Sequence, residues 1–216
     1  ITSLSYRFDY VKSLLSTTVS LFYEGAPQGR LNYIYTNDMN GDGNSTDLMY
    51  IPKDENDIIF VTKTKTNDGR EDIIPLTAEA QKEAFFKFLE QDDYLSSHKG
   101  EYAQRFGAVM PWVHQFNLKV VQDFVVISAR KSKIQLTLDI LNLGNLINSS
   151  WGVRRAQITG SYDNIPLLQY MGVDAGNRPT FTLPTNSIAS YYTDTYKNVL
   201  DYASTWSMQL GLRFIF

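Results

Sequence analysis

Residues 206–216 alternate without interruption. Trp206, Met208, Leu210, Leu212, Phe214 and Phe216 fall on one face of an extended chain; Ser207, Gln209, Gly211, Arg213 and Ile215 fall on the other. Successive strand side chains point to opposite sides, so this segment sets large apolar groups on one wall and mostly polar groups on the other. Its length suits one tilted crossing of a bilayer by a β-strand, which takes roughly 9–11 residues. One face is too apolar for water, and the other is too polar for a helical span. The segment therefore implies a solvent as well as a secondary structure.

The pattern recurs along the chain. Leu4, Tyr6, Phe8 and Tyr10 alternate with Ser3, Ser5, Arg7 and Asp9, and Thr17, Val19, Leu21 and Tyr23 alternate with Thr18, Ser20, Phe22 and Glu24. Leu31, Tyr33 and Tyr35 alternate with Asn32, Ile34 and Thr36 after the bend signal Gly25-Ala26-Pro27-Gln28-Gly29. Phe116, Leu118 and Val120 repeat the pattern, as do Ile134, Leu136, Leu138 and Ile140. The connections are unequal: 11–16 and about 125–132 are short turns, whereas 37–111 and 143–203 are long, polar and irregular. Compact soluble domains rarely carry loops of that length. Outer-membrane barrels do, with short periplasmic turns and long extracellular loops. The sidedness closes if 31–35 extends the second strand. The expected strands are then about 2–10, 16–36, 113–124, 133–142 and 205–216, and the expected fold is all-β, an antiparallel transmembrane β-barrel segment.

Composition agrees with this reading without proving it. No apolar run of about 18 residues marks a membrane helix, but alternating barrel strands hide from a hydropathy average. Aromatics make up 13% of the chain, which suits the girdles at the edges of an outer-membrane barrel. A net charge of -3 argues against a nucleic-acid partner, since phosphate binding needs a basic surface. With no cysteine, disulfides, zinc-thiolate sites and cysteine nucleophiles are excluded.

Within the first long loop, 77–95 reads as a helix. Thr77 is placed as N-cap after Pro75, Glu79 lies in the first turn, and Ala84, Phe85, Phe88 and Leu89 form an apolar stripe. The expectation is a helix folded over the barrel mouth, with partner binding as the alternative. In the second loop, 165–170 and 179–183 read as a hairpin standing above the membrane.

The sharpest local motif is Asp38-Met39-Asn40-Gly41-Asp42-Gly43-Asn44-Ser45-Thr46-Asp47. Alternate oxygen side chains followed by glycine match the first half of a calcium loop, so Asp38, Asn40 and Asp42 would ligate Ca²⁺ by side chains and Asn44 by its carbonyl. The twelfth position is Met49 rather than a bidentate Glu, leaving Asp47 as the substitute and Asp54 or Glu55 as weaker ones. The plainer reading is a turn-rich loop in which Asp, Asn and Gly serve backbone geometry. Asn142-Leu143-Gly144-Asn145-Leu146-Ile147-Asn148, followed by Trp151-Gly152, leaves the fifth strand and reads as structural. His98 and His114 have no metal-ligand spacing, and His114, in phase with Phe116, reads as a girdle residue. No phosphate loop or HExxH is present, so no catalytic residue and no enzyme activity is expected.

Taken in order, Leu21-Phe22-Tyr23-Glu24-Gly25, Asp38 to Gly43 running into Asp47-Leu48-Met49-Tyr50-Ile51-Pro52, Leu141 to Asn148 with Trp151-Gly152, and the terminal strand resemble the C-terminal barrel of TonB-dependent outer-membrane transporters. The likeness is to the Bacteroidota branch that includes Oar-like and SusC/RagA-like receptors. It implies a 22-stranded barrel with an N-terminal plug, coupling to the TonB complex, and active import of a nutrient (glycan, peptide or chelate). Phe216 resembles the family's terminal signal for the barrel-assembly machinery. The expected partners are the rest of the barrel, the plug, outer-membrane lipid and, for SusC-like members more than Oar-like ones, a surface lipoprotein. The chain itself carries neither plug nor TonB box and reads as the closing piece of a longer protein. Two rivals stand beside this reading. One is a self-contained eight-stranded outer-membrane barrel that uses 165–170 and 179–183 as wall strands. The other is a soluble calcium-dependent β-sandwich that binds glycans.

Overall fold

A computed structural model describes residues 1–63, 77–127, 132–159, 163–186 and 190–216, with the Ile127 side chain outside the description. In chain order the elements are β1 (Thr2–Tyr10), β2 (Leu15–Pro27), β3 (Arg30–Tyr35), β4 (Tyr50–Ile51), β5 (Ile59–Phe60), α1 (Ala78–Gln91), α2 (Asp93–Ser97), β6 (Glu101–Tyr102), β7 (Ala108–Val109), β8 (Trp112–Ile127), β9 (Ser132–Leu141), α3 (Leu143–Ile147), β10 (Arg154–Gln157), β11 (Asn164–Val173), β12 (Pro179–Thr182), β13 (Tyr196–Val199) and β14 (Ser207–Ile215). The fold is mostly antiparallel β-sheet. Among the described residues no helix is long and apolar enough to cross a membrane. The chain divides into two compact units, residues 1–28, 111–155 and 198–216, and residues 29–110 and 156–197.

The first unit is built on one five-stranded antiparallel sheet in the order β1-β2-β8-β9-β14. The alternating segments read from the sequence supply all five strands. The tight turn between β1 and β2 places Val11, Lys12 and Ser13 at φ of 53°, 52° and 65°. Left-handed backbone at three successive non-glycine residues is unusual, and no turn residue announces it in the sequence. The turn expected at about 125–132 lies partly outside the described residues.

Residues 16–36 do not form one strand. β2 ends at Pro27, which has no N–H to continue a ladder, and Gly29 follows at φ 154°. β3 then belongs to the other unit, in a mixed sheet ordered β5-β12-β11-β3-β7. There β3 runs parallel to β11 and antiparallel to β7. Five consecutive residues, Leu31 to Tyr35, are buried, so both faces of this strand are covered. Asn32 tolerates burial because its carboxamide donates to Asn164 Oδ1 at 2.9 Å and accepts from the Phe106 N–H at 2.5 Å.

The described residues of 37–110 and 156–197 are therefore not irregular loops; they supply most of a unit with its own core. Tyr33, Met49, Ile51, Phe85, Leu89, Leu95 and Ile165 are among its fully buried side chains. Helix α1 starts where expected: the Thr77 hydroxyl accepts the Ala80 N–H at 3.2 Å. Its apolar stripe is core rather than a free docking face, and the Phe85 ring meets Phe60 at 5.5 Å. The helix expected over 77–95 breaks at Asp92, which is C-cap to α1 and N-cap to α2. Asp92 Oδ1 accepts the Tyr94 and Leu95 N–H groups, while Oδ2 accepts the Tyr33 and Thr195 hydroxyls. That buried carboxylate is fully partnered. β11 and β12 form the expected hairpin, but they pair further with β3 and β5 inside this unit. The eight-stranded rival thus loses the strands it would need as barrel wall.

Candidate functional site

The cross-strand register sorts the first unit's sheet into two chemically distinct faces. On one face Leu4, Leu21, Leu118, Ile140 and Met208 lie in a row across all five strands, followed by the row Tyr6, Val19, Val120, Leu138 and Leu210. Two rows nearer the short turn are Phe8, Thr17, Gln122, Leu136, Leu212 and then Tyr10, Leu15, Phe124, Ile134, Phe214. The exceptions in this apolar field satisfy one another: the Tyr10 and Thr17 hydroxyls both reach Gln122 Oε1, at 2.8 and 2.5 Å. Leu4, Leu210 and Leu212 remain more than 70% exposed among the described residues. A contiguous apolar surface of this width marks contact with another apolar medium or partner.

The opposite face is mostly polar, with Phe22, Val121 and Leu141 among its apolar members, and many of its polar groups pair with one another. One row runs Ser5, Ser20, Lys119, Asp139 and Gln209, with Ser5 and Ser20 hydroxyls 2.8 Å apart and Lys119 to Asp139 at 3.1 Å. On the same face Asp123 reaches its cross-strand partner Gln135 at 2.8 Å and Lys133, one row on, at 2.7 Å. Aromatic groups border the apolar face at both ends. At one end Tyr23 packs on Phe116 at 4.9 Å and donates or accepts a 2.8 Å hydrogen bond with His114, which stacks on Trp112. At the other end Phe214 stacks on Phe216 at 5.8 Å. Phe216 is almost wholly exposed and follows the last ladder residue, Ile215.

This face is legible in the sequence because period two is local, and the junction after the fifth strand plays the structural part that its Asn and Gly residues suggested. Asn142 is in the left-handed region, φ 51°, where it starts α3, and it donates to the carbonyls of Gly152 and Ser204. Glycine is required at 152: φ is +64° and an added Cβ would lie 2.0 Å from Asn142 Oδ1.

The structure brings Asp38, Asn40, Asp42, Asn44 and Asp47 into one loop, but side-chain oxygens of Asp38, Asn40, Asp42 and Asp47 are turned on the loop's own backbone. Asp38 accepts the N–H groups of Gly41 and Gly43 at 2.7 Å each, and Asp47 Oδ2 accepts those of Met39 and Asn40. Asn40 Oδ1 and Asp42 Oδ1 accept the Asp42 and Asn44 N–H groups. The Gly43 N–H foremost, with those of Gly41, Asp42 and Asn40, holds the Asp38 carboxyl below its ordinary value. Met49, at the calcium loop's twelfth position, is a fully buried core side chain and presents no oxygen. Asp54 lies in a separate turn, where it accepts the Asn56 N–H. Among the described residues no group of three or more His, Cys, Asp or Glu is arranged to hold a metal ion. A Ca²⁺ ion would have to compete with these N–H donors for Asp38, Asn40, Asp42 and Asp47.

The fold and faces together define a two-faced antiparallel sheet joined in sequence to a separately cored β-rich unit. Comparison with protein-family models, curated proteins and solved structures returned no significant match.

Proposed function

We propose that the five-stranded sheet is part of the wall of an outer-membrane β-barrel, and that the barrel imports a nutrient in the TonB-dependent manner. The observation that carries the membrane reading is the row-by-row segregation of apolar and polar side chains across all five strands. A barrel wall needs that arrangement, with lipid on one side and an aqueous or plug-filled lumen on the other. Residues 2 to 10 span about 27 Å along β1 at 3.4 Å per residue, which a tilt near 40° reduces to roughly 20 Å, close to a barrel's apolar band of about 25 Å. The edge strands β1 and β14 each have one neighbour. Unpaired backbone in hydrocarbon costs several kcal/mol per group, so further strands complete the ring in the membrane. The import reading rests on the ordered motifs that resemble TonB-dependent transporters. In it, the second unit is the ligand-facing part, the TonB complex drives uptake, and Phe216 serves the assembly machinery.

Because the chain has no cysteine, single cysteines give clean probes of the membrane reading. In native outer membranes, Leu138→Cys and Leu210→Cys should resist a water-soluble maleimide until SDS is added, while Gln209→Cys and Thr137→Cys should react in a permeabilised lumen. Equal labelling of all four without detergent would refute the membrane wall. Loss of solute uptake on deleting TonB tests the transport half separately.

A further inference from the structure

We infer that a cleft in the second unit is a binding site for an uncharged, polyhydroxylated ring, that is, a saccharide. The cleft has a volume of about 360 Å³, within the range of small-ligand sites. Its wall is the β4–β6 ribbon, whose register sets Tyr50 directly opposite Tyr102. The two rings meet at 5.2 Å and 59°, and Tyr102 leaves two-thirds of its surface open. Tyr50 is fixed from two sides: its N–H donates to Tyr35 Oη at 3.1 Å and its hydroxyl to Asp57 Oδ2 at 2.8 Å. Phe181 lines the floor, stacked on Tyr35 at 5.7 Å. Tyr50 is thus held in place before any ligand arrives, which lowers the ordering cost of binding.

The polar groups at the rim select the ligand class. Asp57 Oδ2 accepts both the Tyr50 hydroxyl and the Lys53 N–H, leaving Oδ1 without a partner among the described residues. The Asn56 carboxamide, on the same rim, also has none among them. Arg178 is already neutralised by a two-nitrogen contact with Asp174 at 2.8 and 3.0 Å. An anionic chelate would want an uncompensated cation here, and Arg178 is already paired; triproline, whose ammonium could seek Asp57, is therefore the peptide control. The cleft offers an open aromatic face beside planar acceptor and donor groups with spare capacity. A sugar ring matches both, stacking its C–H face on the aromatic ring and directing hydroxyls, each donor and acceptor, to the carboxylate and carboxamide.

As a capture site this deepens the import reading and rests on it, whereas the binding itself stands on the cleft. The test is calorimetric titration of the protein, detergent-extracted from its own outer membrane, with maltotriose, cellotriose and mannotriose, and with triproline as the peptide probe. At least one trisaccharide should bind, and Tyr102→Ala and Asp57→Asn should each weaken it tenfold or more. Both positions are exposed, so the fold survives, as retained tyrosine near-ultraviolet dichroism should verify in each variant. Absence of saccharide binding up to 10 mM on the order of weak-site affinities, binding unchanged in Tyr102→Ala, or triproline binding in place of sugar would each overturn the assignment. Saccharide binding without TonB-dependent uptake would sink the import reading and leave this site standing. Uptake without saccharide binding would do the reverse.

Discussion

At the scale of single residues, the chain spends its polar side chains mainly on backbone geometry. The 38–47 loop shows this most clearly, since Asp38 closes the turn by accepting several N–H groups. Its pKa is lowered on folding from an ordinary 3.8, so its carboxylate stabilises the loop at neutral pH. That contribution is lost as the pH falls below 3.8 and through the lower folded value. Hydrogen exchange at the Gly41 and Gly43 amides should therefore stay slow down to about pH 4 and accelerate, relative to the intrinsic rate, below it. A chelator should leave this protection unchanged, because N–H groups already occupy the oxygens. Gly152 is the second such position. Gly152→Ala places a side chain in the left-handed region and against Asn142 Oδ1, so it should cost more than about 1–2 kcal/mol. The loss would be read as a lower melting point of the detergent-extracted protein; an unchanged one would show that Asn142 can move aside.

At the scale of elements, each strand of the first unit separates two kinds of side chain, which the proposed barrel wall would turn to different solvents. Leu210 and Gln209 are neighbours on β14, yet they lie on opposite faces. Near the middle of a bilayer an arginine on the lipid face costs about 2–4 kcal/mol, whereas a lumen position tolerates it. Leu210→Arg should therefore reduce the amount of protein assembled into outer membranes severalfold, and Gln209→Arg should leave it near normal. Equal effects would mean that the two faces do not meet different solvents. The β1–β2 turn lies where the sequence placed it, at the start of 11–16, but its conformation is not written there. Nothing in Val11-Lys12-Ser13 signals three left-handed residues; the register of the flanking strands imposes them.

At the scale of the whole molecule, the division into two compact units changes how the long connecting segments are understood. They pass in and out of a second unit whose core is as dry as that of a globular domain. Phe85 is fully buried there among Phe60 and Phe86. Phe85→Ala should remove about 3–5 kcal/mol from that unit. Amide exchange should accelerate across β3, β11 and β12, while the β2–β8–β9 ladders keep their protection. Acceleration in both sets together would mean that the units unfold as one.

What was legible in the sequence follows from the range of each interaction. A period of two needs only neighbouring residues, so Leu118, Leu138 and Leu210 could be placed on one face of their strands from the order of residues alone. Thr77 could likewise be read as a helix cap, because it acts three residues away. The same rule misled at Leu31, Tyr33 and Tyr35, where alternation looked amphipathic but both faces are buried. What made them core is the parallel pairing of β3 with β11, a contact between residues as far apart as Asn32 and Asn164. The strands β4, β5, β6 and β7 are two residues long and leave no periodic trace. The cleft proposed to bind a saccharide depends on two of them, since β4 and β6 set Tyr50 opposite Tyr102. Local alternation thus determined which side chains share a face in the first unit's sheet. Long-range pairing alone decided that the remaining chain would close around a core of its own and bring aromatic and polar groups to one cleft.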